Sequence, residues 1–84
     1  MMDEKAKFYI LQRYVPLMYL KYRGYVTNDF YGKDEHGNES YFLKNPENAM
    51  RFNSIGDAMR ASVDISVRTW MYYKVIPIYK LFLT

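Results

Sequence analysis

Tyrosine interleaved with lysine and arginine is the feature of this chain most able to do chemistry. Tyr9, Arg13, Tyr19, Lys21, Arg23, Tyr72 and Lys74, with Lys7 beside them, fall on one side of segments that read as extended. On a flat sheet face, such rings stack nucleobases and such cations neutralise phosphate. The same face can grip an acidic protein, because exposed Tyr and Arg are typical interface anchors. These residue types also suit a sheet face that is merely solvated.

Other chemistries are poorly supplied. His36 is the single histidine, so a nucleophilic triad has no positioned base outside one polar loop. The carboxylates Asp29, Asp34, Glu35, Glu39 and Glu47 have no apolar surroundings in sequence that would raise a pKa for acid–base work. Gly24, Gly32, Gly37 and Gly56 are scattered and make no phosphate-cradling loop. The run Asp34-Glu35-His36-Gly37-Asn38-Glu39 offers oxygen and imidazole ligands. Its spacing is not that of an EF-hand, and one His without Cys is not a zinc site. The expectation is a non-enzymatic chain with neither cofactor nor metal.

The elements that must position the Tyr/Lys/Arg set are organised around residues 41–70. Asn45-Pro46 is a start signal, Asn as N-cap and Pro at the first helical position. Ala49 and Phe52, three apart, should share one side of that turn. A second start follows at Ser54, with Asp57 three residues on in a capping-box-like arrangement. From Ile55 the pattern is helical: Ile55, Ala58, Met59, Ala61 and Ile65 form a broad arc expected to be buried. Asp57, Arg60, Asp64 and Arg68 form an opposite stripe of alternating sign, expected to be solvated. Small residues on the inner arc (Ala58, Ala61, Ser62) would let this helix, about residues 55–69, sit close to a sheet. Trp70 and Met71 at its end are expected in the core.

The remaining segments read as strands. Phe8 to Arg13 alternates, Val15-Pro16 marks a turn or edge bulge, and Leu17 to Arg23 resumes the alternation. Tyr25-Val26-Thr27 is a short extended piece. Gly32 to Glu39 is the tip of a hairpin, and Ser40 to Leu43 its returning strand. Met71 to Leu83 alternates again, with Pro77 placing it on an edge. Phe8, Ile10, Met18, Leu20, Tyr73 and Val75 are expected to meet the helix. The fold class is therefore α+β: a small antiparallel sheet of about four strands with one main helix on one face.

At 84 residues the chain reads as one domain, residues 1–84, small enough that its core is limited. It has no cysteine, so packing of ten Tyr, five Phe and one Trp must stabilise it, with dimerisation as a second route. The charged start lacks the apolar stretch of a signal peptide, and no apolar run approaches the length of a membrane span. A cytoplasmic protein is expected, and a net charge of +3 leans mildly toward anionic partners.

Phe8-Tyr9-Ile10, Tyr25-Val26-Thr27, the hairpin, and above all Asn45 to Ser54 followed by Asp57-Ala58 resemble a group of small proteins encoded by bacteriophages and related mobile elements. Their shared step is Ala-x-x-Phe-x-Ser entering a helix, here Ala49, Phe52 and Ser54, followed by a closing strand. The resemblance spans most of the chain, but its residues are packing positions. The Leu17 to Arg23 segment and the tyrosine content depart from the plainer members. The resemblance implies an inhibitor of a bacterial host or defence factor, of the anti-CRISPR kind, acting in the host cytoplasm. Its partner would be a host protein, such as a nucleic-acid-handling effector, or an anionic nucleotide that the protein sequesters.

Overall fold

In a computed structural model, residues 5–16 and 24–80 are described. Four strands, β1 (Phe8–Val15), β2 (Tyr25–Lys33), β3 (Glu39–Leu43) and β4 (Tyr72–Ile78), form an antiparallel sheet in the order β3-β2-β1-β4. One α-helix, α1 (Ile55–Thr69), packs on one face, mainly against β4 and β1. The fold is α+β. The expected strand over Leu17 to Arg23 lies outside the described residues, as do Met18 and Leu20.

Local signals act as their chemistry dictates. Ser54 Oγ accepts from the Asp57 amide at 3.1 Å and starts α1. Asn45 Oδ1 accepts from the Glu47 amide at 2.9 Å and starts a single 3-10 turn, Pro46–Asn48. The hairpin between β2 and β3 turns over Asp34–Asn38, where Asp34 Oδ1 accepts from the amides of His36 and Asn38, both at 2.9 Å. Gly37 supplies the left-handed residue the turn requires, with φ 81°. The turn is thus shorter than expected, because β2 runs on through Gly32 to Lys33.

The helix rests on the sheet through small residues. Ala58 is fully buried, Ile65 is 1% exposed, and Ser62 Oγ donates to the Tyr73 carbonyl at 2.8 Å. These join Leu11, Tyr31 and Tyr73 in the main core, with Tyr9, Phe52, Met71 and Val75 packed around it. Seating the helix on its smallest side chains turns the larger Ile55 and Met59 outward. They are 54% and 55% exposed, against the expectation that they would be buried.

The faces of β1 are the reverse of the expectation. Leu11 stands opposite Val75 and Arg13 opposite Tyr73, so Tyr9, Leu11 and Arg13 point to the helix side. Phe8 and Ile10 point to the far side, where they form a second cluster with Phe30 and Ala49, flanked by Leu43, Ile76 and Ile78. Phe8-Tyr9-Ile10-Leu11 is apolar on both sides, and a central strand covered on both faces requires this. Alternation alone therefore could not assign its inner face.

The second cluster exists because the crossover after β3 threads back into the sheet. Ala49 bridges Gly32 of β2 and Phe52 bridges Tyr9 of β1. The Met50 amide donates to the Tyr31 carbonyl at 2.9 Å, and Tyr9 and Phe52 exchange bonds of 2.9 and 2.8 Å. Ala49 and Phe52 thus join different clusters, one on each face, rather than sharing a side. A side chain at Gly32 would meet Asn48 O and Met50 N, both at 2.9 Å, so only glycine admits the crossover.

Candidate functional site

The Tyr/Lys/Arg set is divided by this register. Tyr72 and Lys74 lie on the far face, whereas Tyr9 and Arg13 lie on the helix face. Tyr9 is half-buried against Phe52 in the main core, and its backbone is occupied by Phe52. It therefore does not join a continuous wall. Tyr19, Lys21 and Arg23 lie outside the described residues. The far face itself is roofed in part, since Phe8, Ile10 and Phe30 are buried there and Arg51 sits 4.4 Å from the Phe8 ring centre.

What stays open is the end of the sheet where α1 hands over to β4. Tyr14 stands opposite Tyr72 on one side and Val26 on the other, giving a cross-strand row of apolar and aromatic groups. Lys74 Nζ lies 5.5 Å from the Tyr14 ring centre, in cation–π range. Around the corner, Arg13, Tyr14, Val15, Pro16, Trp70, Met71 and Tyr72 line a concavity of about 160 Å³. The fold thus gathers Arg13, Tyr72 and Lys74 of the expected set near one end and adds two residues that sequence reasoning had placed elsewhere or passed over, Trp70 and Tyr14.

Trp70 is the largest correction. Expected in the core, it is 80% exposed and ends α1 in the left-handed conformation, φ 64°. Its amide donates to the Ser66 carbonyl at 2.9 Å, the bond that glycine normally makes at such a terminus. A bulky side chain there costs roughly 1–2 kcal/mol relative to glycine. Met71, by contrast, is half-buried against the main core. The sequence signal for Trp70 was the absence of any glycine or asparagine between Arg68 and Tyr72 to end the helix.

The charges at this end are unequal in freedom. Arg13 Nη1 lies 3.4 Å from Asp29 Oδ2 and its guanidinium 5.5 Å from the Phe42 ring centre. Asp29 is buried, and Lys44 and Thr27 also bond its carboxylate. The Lys44 hydrogen bond, helped by Lys44's charge, Thr27 and Arg13, holds the Asp29 carboxyl below its usual range despite burial. Arg13 is therefore committed within the molecule. Lys74 has no carboxylate within ion-pair distance among the described residues. His36 faces Glu35 at 3.6 Å on the exposed hairpin tip, away from this end.

Among the described residues no group of three or more His, Cys, Asp or Glu is placed to hold a metal ion. No described helix is long and apolar enough to cross a membrane. Among the described residues, the arrangement offers aromatic rings, one ammonium without an ion-pair partner and a shallow recess. Compared with protein-family models, with curated proteins and with solved structures, the chain matches none.

Proposed function

We propose that the protein is a non-enzymatic binding module that blocks a bacterial host or defence factor, and that it does so with the Trp70–Tyr72–Tyr14–Lys74 end of the sheet. The observation that carries this reading is Trp70, held in a strained backbone conformation with 80% of its surface exposed. Non-glycine residues held in this conformation cluster at binding and active sites. A Trp flanked by Tyr and a cation is the composition of an interface hot spot. The choice of a bacterial target rests on the resemblance of the Asn45 to Ala58 segment to small phage-encoded proteins.

A protein partner suits this end better than a nucleic acid. Phosphate binding requires several uncommitted cations, and among the described residues at this end Arg13 is held by Asp29 and Lys74 alone has no ion-pair partner. The test is retention of bacterial lysate components on the immobilised protein, compared with a Trp70→Ala/Tyr72→Ala variant of unchanged circular dichroism. The expected result is a bacterial protein retained by the wild type, lost from the variant and only weakly affected by salt. Equal retention by both refutes the site. Retention of nucleic acid or a nucleotide, falling steeply with salt, refutes the protein partner.

A further inference from the structure

Helix α1 carries a third face besides its buried arc and its charged stripe. Ile55, Met59, Val63 and Val67 recur at every fourth position and are 54%, 55%, 62% and 74% exposed. An unbroken row at i, i+4, i+8 and i+12 forms one of the helical ridges that pack into the matching groove of another helix, crossing at about −50°. The charged stripe borders it on one side and is paired within itself: Arg60 binds Asp57 at 2.6 Å and Arg68 binds Asp64 at 2.8 Å.

We propose that this ridge is a self-association surface, where a second copy of the chain docks α1 against α1 in an antiparallel, two-fold arrangement. Extent, symmetry and charge support a second copy. The four exposed side chains make a continuous apolar strip along the length of the helix, the kind of apolar centre around which a specific interface of ~800 Å² per partner forms. A single ridge of similar-sized side chains is its own complement when reversed, as a two-fold axis demands, Met59 meeting Val63 of the partner and Ile55 meeting Val67. The chain carries +3, so copies repel. The helix itself holds two Asp and two Arg and is locally neutral, which makes it a suitable face for like molecules to share. The ridge residues Ile55, Met59, Val63 and Val67 are separate from the concavity, so this surface stands or falls apart from the proposed target site.

Sedimentation equilibrium over a concentration series, on the full chain, tests it. The wild type is expected to pass from monomer to dimer within the micromolar range. Val63→Glu should weaken the dimer roughly 100-fold or more, because the axis buries the new charge twice. Its melting temperature, measured where wild type and variant are both monomeric, should be unchanged, since Val63 is 62% exposed. The chain has no cysteine, so a Met59→Cys/Val63→Cys double variant, whose two positions face each other across the axis, should form an intermolecular disulfide on oxidation while Ile55→Cys alone, far from the axis, does not. A wild type that stays monomeric at hundreds of micromolar overturns the proposal. So does a dimer that survives Val63→Glu, or a disulfide that forms as readily at Ile55→Cys.

Discussion

Glu39 is the clasp between β3 and the far end of α1, and its removal is a quantitative test of the packing described above. Its carboxylate accepts from Tyr31 Oη at 2.5 Å, Tyr41 Oη at 2.6 Å and Arg68 Nη2 at 3.0 Å. The Tyr31 bond first, then those from Tyr41 and Arg68, hold its carboxyl down from the ordinary 4.5 to about 2. At 1.36 kcal/mol per tenfold in proton affinity, that difference would correspond to about 3 kcal/mol in a buried site. The side chain is 35% exposed, so solvent screening reduces the expected contribution to about 1 kcal/mol. A carboxyl depressed by folding stabilises the folded state above its unfolded value, and the stabilisation disappears as pH falls from about 4.5 through about 2. Glu39→Gln should therefore cost about 1 kcal/mol in urea unfolding at neutral pH. The gap between variant and wild type should shrink to less than half by about pH 3 and close below about pH 2. Comparing the two proteins at each pH cancels Asp29 and Asp57, whose carboxyls are also depressed and titrate in both. A gap that is constant with pH, or absent at neutral pH, would refute the clasp.

Gly32→Ala should destabilise by about 3 kcal/mol or more in the same assay, because the new methyl meets main-chain atoms of the crossover; a loss below 1 kcal/mol would mean the crossover does not thread there. Ile65→Ala should cost about 2–4 kcal/mol, whereas Val67→Ala on the exposed ridge should cost under about 0.5 kcal/mol at concentrations where the protein is monomeric; similar losses would invert the helix orientation. Trp70→Gly should raise stability by about 0.5 kcal/mol through relief of the left-handed residue while abolishing capture of the bacterial target; a lower melting temperature would show that Trp70 supports the fold after all.

The helix boundaries were legible because each rests on adjacent chemistry. Ser54 with Asp57 starts α1, and the 3.6-residue pattern from Ile55 runs until the side chains available no longer continue it. The hairpin was legible for the same reason, as Asp34 and Gly37 build its turn from within five residues. Side assignment was not legible, because it depends on pairing between distant strands. Whether Phe8 or Tyr9 faces the helix is decided by Arg13 standing opposite Tyr73, sixty residues away in the chain. The threading of Ala49 to Phe52 between β1 and β2 has only Gly32 as a local sign, and a lone glycine in a strand has several readings. Trp70 misled because a large aromatic residue is ordinarily a core residue, and its exposure follows from a backbone conformation rather than from its hydrophobicity.

The two proposed surfaces meet at Trp70. The ridge Ile55–Met59–Val63–Val67 runs along α1 toward that residue, and the Tyr14–Tyr72 recess begins at it. A helix of 15 residues is about 22 Å long at 1.5 Å per residue. In the antiparallel pair proposed here, the two-fold lies at residue 61, so the two Trp70 residues sit at opposite ends of the contact, about 27 Å apart along the helices, each carrying its recess away from the axis. One dimer would then hold two recesses that cannot both engage a single small site, and its natural target is itself doubled or is bound twice. Stoichiometry reads this out directly. Wild type should bind one target chain per protomer, and Val63→Glu should keep that ratio at the recess while losing the avidity of the pair. One target chain per dimer would instead require the two recesses to converge, which the antiparallel ridge forbids.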